Sequence, residues 1–407
     1  MSGALALLRR RPRFRALWAA IGLSYAGSGA ATTALTLYVQ QTRGTGTAVA
    51  AFLIASQVPR LLGPLAGGLA DRTDLRRVMV ACDIGQAVVF AAIATLPPFG
   101  VLIALTALTT VLQTSYGPAR TALVPNLVEP DELITANALL GTATNLYVAV
   151  GPLVGGLLFA TIGPSAALLV NAVTFLGSAA LTTRVPATRP AADVVHEPLL
   201  AATRTAARFI WGDQVLRTVT ISICLLVAFL SVDNVALVFL VRETLGGSAF
   251  VYGLIEAVFG FGMLAGSFWI LRGRGGGWAA PRLYLLSCSL SSGASAGSGL
   301  APSLGVLAPI QAVAGSGNGI EIVAGETIIQ QQVPRGLIGR VYGFTSSATS
   351  LGIGIAMAGG GFLVDATSPR ATFLIAAAGS LIVTLAIAPT MLRAPSPAQT
   401  RAEARSS

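Results

Sequence analysis

The chain has 407 residues, of which 54% are hydrophobic and only 10% are charged. A soluble domain usually carries about 25% charged residues, and a mean hydropathy of +0.76 over this length exceeds what one soluble core can bury. The net charge is +10 and all the basic residues are arginine, but no basic stripe with interleaved aromatic residues is present. Membrane topology therefore accounts for the charge better than nucleic-acid binding does, and the composition predicts a polytopic helical membrane protein.

Apolar runs separated by helix breakers predict twelve membrane-spanning segments, many of them near the ~20 residues that a bilayer span requires. In chain order the segments lie near 15–41, 47–70, 77–97, 99–122, 136–162, 165–184, 217–241, 249–271, 280–300, 304–331, 338–364 and 371–392. With the N-terminus in the cytoplasm, the arginines concentrate in inner loops, while Arg43, Arg242 and Arg370 lie outside. This asymmetry predicts a multi-pass protein of the cell membrane with both termini in the cytoplasm.

The longest inner connection, 185–216, divides the chain into a six-helix bundle over 1–184 and a second over 217–393. The remaining residues, 394–407, are predicted to be a disordered tail. The two halves are related, because GGLLFATIGPSAALLVNA (155–172) and GGFLVDATSPRATFLIAA (360–377) match at seven of 18 positions. A parallel repeat of two bundles is typical of transporters that rock around a central site.

A charged stretch, GGLADRTDLRR (67–77), lies between the second and third segments. It resembles the signature loop of the major facilitator superfamily, although Asp74 stands where the family usually has glycine. The resemblance implies that Asp71 docks the loop against the start of helix eleven, where a helix N-terminus offers unpaired N–H groups. A solvated turn on the inner side is the alternative interpretation. The motif residues are Gly67, Asp71, Arg72 and Arg76.

A second motif, GPLVGG (151–156), lies in the fifth segment and resembles the antiporter signature of exporters in the superfamily. Tyr147 occupies the position of an earlier glycine in that signature, and generic close packing of helices is the alternative. Residues 113–141 and 330–343 are similar to the drug/proton antiporter branch that includes macrolide efflux pumps and the enterobactin exporter. The resemblance implies an all-α major facilitator fold that acts as a monomer. The motif residues are Gly151, Pro152, Gly155 and Gly156.

Charged residues within membrane segments cost at least ~2.5 kcal/mol near the bilayer centre, so each is a functional candidate. The resemblance implies that the first, fourth, seventh and tenth segments are the helices that line a central cavity. Glu321 is the first choice for carrying a proton, because it lies about 15 Å deep in the tenth segment; a permanent salt bridge to Arg60 is the alternative. Arg60 itself could pair with an acid or displace its proton. Asp233 and Glu256 could share a proton or hold an outer gate, and Asp83 is interpreted as structural, paired with an interfacial arginine. The proton-coupling candidates are Glu321, Asp233, Glu256 and Arg60.

Polar residues on the predicted cavity helices are candidates to line a substrate cavity, although such residues also join helices to one another. They are Tyr25, Gln113, Tyr116, Asn234 and Asn318.

These features predict a secondary active transporter that couples proton entry to efflux of a small amphipathic molecule, such as a drug, antibiotic, siderophore or other secondary metabolite. Its partners are that substrate, protons and the lipid bilayer. An uptake permease of the same fold is an alternative, against which GPLVGG counts, and a non-transporting membrane sensor is another. No enzyme activity, cofactor or metal is predicted, because His196 is the single histidine and the three cysteines lie in or beside apolar runs.

Overall fold

An almost unbroken series of helices forms the chain. The computed structural model describes residues 2–62, 74–129, 132–186, 199–270, 280–334 and 337–393, and no strand occurs within those ranges. Short 3-10 turns at Val58–Leu62 and Val124–Asn126 each directly follow a helix, as does a π turn at Leu240–Thr244. The helices are α1 (Ser2–Arg10), α2 (Pro12–Arg43), α3 (Gly46–Gln57), α4 (Leu75–Ile93), α5 (Phe99–Leu123), α6 (Leu133–Ala149), α7 (Gly151–Thr182), α8 (Leu199–Gly212), α9 (Gln214–Phe239), α10 (Ala249–Trp269), α11 (Ala280–Leu300), α12 (Leu304–Gln332), α13 (Ile338–Ala366) and α14 (Pro369–Arg393).

Each predicted membrane segment overlaps at least one of these helices; the fifth, 136–162, overlaps both α6 and α7. Within the described ranges, six stretches are long and apolar enough to cross a bilayer. Helices such as α11 and α12 are long, but serines, amides and two acids lower their hydropathy. The chain is therefore an all-α membrane protein in its described part, and the count of twelve spans stays a prediction. The six stretches are Phe99–Thr121, Thr135–Thr182, Gln214–Thr244, Ala249–Trp269, Arg340–Ala366 and Pro369–Arg393.

The turn predicted between the fifth and sixth segments lies at Gly163, inside α7. The φ angle of Gly163 is 83°, in the left-handed region that favours glycine, and Pro164 follows it. Because proline has no N–H to donate, the helical hydrogen bonding is interrupted here and the chain reverses. A second break separates α6 from α7 at Val150, just before Pro152 in the first turn of α7.

The chain divides into two compact units. Unit 1 comprises Met1–Gly44, Ala51–His196 and Gly247–Ala257. Within it, α2 packs along α7 and α6, while α4 packs on α7 and α5. Apolar side chains form its core, including Phe14, Leu17, Ile21, Met79 and Ala143.

An arginine between α1 and α2 ties the N-terminus of unit 1 to the loop before α6. The Nε atom of Arg11 donates to Glu132 Oε2 at 2.9 Å, and its Nη2 atom pairs with Glu129. The backbone N–H of Glu129 also donates to Glu132 Oε2, at 3.0 Å. That backbone bond, followed by the Arg11 guanidinium, lowers the pKa of Glu132 below its ordinary value.

Unit 2 comprises Thr45–Ala50, Glu197–Gly246 and Val258–Ser407. In this unit α11 packs on α12 and α14, and α9 packs on α13 and α14. The predicted linker 185–216 contains an amphipathic helix, α8, which was not predicted from the sequence. Its Ala206 and Ile210 are buried against α12 and α13, while Arg204 and Arg208 are exposed.

A carboxylate at the end of α13 caps the start of α3, also within unit 2. Asp365 accepts hydrogen bonds from the backbone N–H groups of Gly46 and Thr47, the latter at 3.0 Å. The hydroxyl of Thr47 donates to the same carboxylate at 2.7 Å. A helix N-terminus has unpaired N–H groups and partial positive charge, so an acidic side chain stabilises it.

Candidate functional site

The antiporter-like motif forms the first turns of α7, where its glycines let two backbones touch. A Cβ atom at Gly151 would lie 2.6 Å from the Cα atom of Gly29, and one at Gly155 would lie 2.3 Å from the carbonyl oxygen of Ala30. These distances are shorter than Cβ contacts allow. The crossing of α7 with α2 therefore depends on glycine at both motif positions.

Tyr147, which replaces the earlier glycine of the signature, makes a second link to α2. Its hydroxyl donates to Thr32 Oγ1 at 3.2 Å. Its carbonyl oxygen lies against Gly29, where an added Cβ atom would approach it to 2.3 Å. The departure from the family pattern thus adds a hydrogen bond at the same crossing.

The last glycine of the motif meets the part of α10 that belongs to unit 1. A Cβ atom at Gly156 would lie 2.8 Å from the carbonyl oxygen of Ala249, and one at Gly253 would lie 2.3 Å from that of Pro152. The motif therefore brings α7 into backbone contact with α2 on one side and with α10 on another.

One turn along α10 from Gly253, Glu256 binds α2 directly. Its carboxylate accepts hydrogen bonds from Thr33 Oγ1 at 2.8 Å and from the Tyr252 hydroxyl at 2.7 Å. Tyr252 is fully buried. A predicted proton-coupling acid thus lies beside the helix crossings that the motif creates. The sequence singled out Glu256 but contained no signal for Thr33 or Tyr252, which lie on faces that only the packing defines.

The repeat noted in the sequence recurs in the packing of unit 2. Gly361 corresponds to Gly156 in the matched stretches, and a Cβ atom at Gly361 would lie 2.7 Å from the carbonyl oxygen of Gly46. In each unit, therefore, the second glycine of the repeated pair contacts a glycine near the start of another helix: Gly156 contacts Gly253 of α10, and Gly361 contacts Gly46 of α3. The sequence repeat thus corresponds to the same kind of close, glycine-to-glycine helix contact in both units.

Two further coupling candidates lie in unit 2. Glu321 is buried in α12, 7% exposed, and makes no hydrogen bond or ion pair with any described residue of its unit. It lies near Tyr284 and Cys288 of α11. Asp233 is half-buried in α9, near Ser295, and its Oδ1 atom has no partner among the described residues. The predicted alternatives, a salt bridge from Glu321 to Arg60 and a proton shared by Asp233 and Glu256, remain untested.

The predicted arginine is not the partner of Asp83. The carboxylate of Asp83, which is 1% exposed in α4, accepts a hydrogen bond of 2.7 Å from Ser178 in α7. Its other oxygen has no partner in the described ranges. The prediction was wrong because Arg77 is exposed and lies 3.7 Å from Asp74, whereas the side chain of Asp83 is buried inside unit 1. Within the described residues, no group of three or more His, Cys, Asp or Glu could hold a metal ion.

A small polar cavity of about 40 Å³ lies inside unit 1, among α2, α3, α4, α5 and α6. Arg60, in the 3-10 turn after α3, and Gln113, in α5, are predicted site residues that the structure brings together here. Gln86 of α4 also lines the cavity and was not predicted. The remaining lining residues are Ser28, Thr32, Leu35, Phe52, Ser56, Phe90, Ile93, Thr106, Thr109, Thr110 and Tyr147.

The other predicted cavity residues lie elsewhere. Tyr116 is buried in the core of unit 1, and Tyr25 is packed against that core. In unit 2, Asn234 is exposed and donates to the carbonyl oxygen of Ser231 at 3.3 Å, while Asn318 is half-buried in α12. None of these four residues lines the cavity of unit 1.

The charged loop motif is described only at its end. Gly67, Asp71 and Arg72 lie outside the described residues. Asp74, which departs from the family pattern, is the N-cap of α4 and accepts from the backbone N–H groups of Arg76 and Arg77 at 3.0 and 3.4 Å. An aspartate N-cap stabilises a helix start, so the substitution has a local structural reason.

The all-helical fold, the glycine-mediated crossings and the buried carboxylates together define a membrane transporter of the major facilitator class. A family model described as transmembrane secretion effector matches residues 2–406, and the chain belongs to this family of the superfamily. The predicted resemblance is therefore confirmed.

Individual proteins support the same class. The uncharacterized MFS-type transporter YfiS of Bacillus subtilis is 26% identical over 339 residues, 80% of each chain. The multidrug efflux pump Tap of Mycobacterium tuberculosis is 28% identical over 401 residues, 90% of each chain. The crystal structure of the nucleoside transporter NupG superposes with a TM-score of 0.78 at 14% identity, covering 94% of this chain and 100% of NupG, and shows the shared fold.

Proposed function

We propose that the protein is a proton-coupled exporter of small amphipathic molecules, with twelve spans, two six-helix bundles over 1–184 and 217–393, and both termini in the cytoplasm. It would act as a monomer in the cell membrane. The observation that carries this proposal is the contact of GPLVGG with α2 and α10, next to the carboxylate of Glu256. A proton carrier at a helix crossing can couple its own charge to the separation of the helices.

The chemistry at Glu256 supports such coupling. As an ionised carboxylate it accepts from two hydroxyl groups, Thr33 on α2 and Tyr252 on its own helix. Bonds to a charged acceptor are stronger than bonds to a neutral one. Proton binding at Glu256 would therefore weaken the link from α10 to α2 and favour rearrangement at this crossing.

Glu321 and Asp233 remain coupling candidates for a different reason. Both lie within helices of unit 2, and Glu321 has no cationic partner among the described residues of that unit. A buried carboxylate without a counter-charge is most easily accommodated in its neutral form, so it would take up and release a proton as its access to water changes. Arg60 is the candidate for displacing that proton.

Export, rather than uptake, is supported by the motif and by one relative's name. The protein called Tap is named a multidrug efflux pump and is similar over 90% of this chain. The signature loop would complete the cycle, with Asp71 docking against the start of α13 as the resemblance implies. The substrate would be a drug, antibiotic, siderophore or other secondary metabolite.

The test is substrate efflux from cells and uptake into everted vesicles that carry an imposed proton gradient. Accumulation of a fluorescent amphipathic dye in everted vesicles, abolished by a protonophore, is the expected result. Accumulation only in right-side-out vesicles would instead indicate a permease. If Glu321→Gln, Asp233→Asn and Glu256→Gln all transport as the parent does, with the same pH dependence, proton coupling through these acids is excluded.

A further inference from the structure

Most of the polar side chains that line the cavity in unit 1 already donate their protons to other protein groups. Seven of the described residues that line it carry a hydroxyl group: six donate the proton to a backbone carbonyl of a helix, and Tyr147 donates to the hydroxyl of Thr32. Hydroxyls bonded in this way can still accept, but they have no proton left to donate into the cavity. The six are Ser28, Thr32, Ser56, Thr106, Thr109 and Thr110.

The donors that remain are two amides and a guanidinium. Gln86 is 3% exposed, and its side chain makes no hydrogen bond with any described residue. Gln113 and Arg60 likewise make none within the described ranges, and both line the same cavity. A buried amide is almost always hydrogen-bonded in a folded protein, so an unpartnered one that faces a cavity calls for an occupant.

The charge of the lining indicates the kind of occupant. Among the described residues that line the cavity, Arg60 is the one charged residue, and none of them carries a carboxylate to neutralise it. A guanidinium binds carboxylates in a bidentate manner, and its bonds to charged oxygens are stronger than neutral ones. An anionic oxygen group therefore satisfies the three donors, whereas a cation would be repelled by Arg60.

The size of the cavity limits how much of a ligand can enter. A volume of about 40 Å³ has room for about three water-sized groups, because each needs about 10–15 Å³ of such volume. This is enough for a carboxylate but not for a ring system, so the apolar body of a ligand would remain outside. Phe52 and Phe90, which also line the cavity, offer apolar surface beside the polar donors.

We propose that this cavity is a subsite for the anionic end of the transported molecule, with Arg60 as counter-charge and Gln86 and Gln113 as hydrogen-bond donors. The inference rests on the proposed transport function and narrows its substrate class to amphipathic molecules that carry a carboxylate. Arg60 then serves in substrate recognition, in addition to its candidate role in proton coupling.

The experiment measures binding to the purified full chain in lipid nanodiscs, without transport. Three probes share one fluorophore: N-dansylglycine is anionic, its methyl ester is neutral and dansylcadaverine is cationic. The parent protein should bind the anionic probe at least about tenfold more tightly than the ester, as expected for charge-assisted hydrogen bonds. Arg60→Gln should remove that preference and Gln86→Leu should reduce it, because each variant weakens binding of the anionic probe more than binding of the ester.

Matched controls use exposed residues of unit 2. Gln332→Leu and Arg282→Gln make the same chemical changes away from the cavity and should bind all three probes as the parent does. The double variant Gln86→Glu/Arg60→Gln replaces the positive charge of the cavity by a negative one and should reverse the selectivity toward the cationic probe, a result that loss of folding cannot produce. If Gln86→Leu does not fold, Gln113→Leu replaces it and should show the same reduction.

Any of three results would overturn the subsite and leave a cavity that holds water only. The three probes could bind with equal affinity, the anionic probe could show no detectable binding, or its preference could survive Arg60→Gln and both glutamine variants. Failure of the proposed function is distinct, because it would be measured as protonophore-insensitive transport in vesicles. The charge preference in nanodiscs does not depend on that result.

Discussion

Thr33 donates a hydrogen bond of 2.8 Å to the carboxylate of Glu256, a residue 223 positions later in the chain. The bond connects α2 to α10 within unit 1, beside the contacts that Gly155 and Gly156 make with the same two helices. The acid is thereby held by a neutral hydroxyl rather than by a fixed positive charge. Its affinity for the neighbouring helix can therefore change when it gains or loses a proton.

Thr33→Val should weaken this link without changing the side-chain volume much. A hydrogen bond to a charged group is worth about 1.5–3 kcal/mol, so the free energy of unfolding should fall by about that amount. Thr161→Val is the control, because Thr161 is exposed and bonds only within its own helix. Chemical denaturation in detergent micelles measures both.

A double-mutant cycle identifies the charge-dependent part of the same interaction. The effect of Thr33→Val should be smaller in a Glu256→Gln background, because an amide accepts a weaker hydrogen bond than a carboxylate does. Additive effects of the two substitutions would show that Thr33 and Glu256 do not interact.

The crossing of α7 and α10 should not tolerate a side chain. Gly253→Ala places a methyl group 2.3 Å from the carbonyl oxygen of Pro152, so the helices must separate. We expect efflux to fall at least about tenfold and the helix pair to be destabilised by about 1–3 kcal/mol, as overpacking of a close contact usually costs. Gly141→Ala is the matched control, since nothing lies within 4 Å of its added methyl group. Equal activity of both variants would contradict the importance of the close crossing.

Much of this architecture could be predicted, because helix length and turn chemistry are local properties. The Gly163–Pro164 turn and the ends of α11 follow from hydropathy and breaker residues alone. The pairing of GPLVGG with α2 and α10 could not be predicted from the residues, because small residues permit close contact without specifying a partner. The amphipathic α8 was missed because the prolines and mixed charges that precede it are typical of a linker.

Polar contacts were the least predictable features. Asp83 is a charged residue six positions from Arg77 in sequence, but the packing of α4 on α7 brings it to Ser178 instead. Asp74 was an unexplained departure from the family motif until its role as N-cap was apparent. In both cases the partner is set by helix rotation or backbone geometry, which composition does not encode.

Ser178→Ala should destabilise unit 1 by about 1–3 kcal/mol, because it leaves the buried carboxylate of Asp83 without its described donor. Asp83→Asn should recover part of that loss in the Ser178→Ala background, since an amide is less costly to bury than a charge. Ser289→Ala is the control: Ser289 is exposed and donates only to Leu285 of its own helix. Thermal unfolding of the three variants is the measurement.

The link from Arg11 to Glu132 should be lost in acid. Because the folded-state pKa of Glu132 is lowered, its contribution to stability is present above the ordinary pKa of a glutamate and disappears as the pH falls through the lowered value. Glu132→Gln should remove this acid-dependent step from a plot of unfolding midpoint against pH. A step of unchanged size in that variant would assign it to another group.

The cap that Asp365 provides for α3 has a consequence for biosynthesis. The acceptor and its Gly46 donor are 319 residues apart, so the first turn of α3 leaves the ribosome long before its cap has been translated. Until α13 is inserted, those N–H groups depend on water or on other proteins of the insertion machinery. A truncated chain that ends before residue 365 should therefore expose the start of α3 to protease, and full-length synthesis should protect it.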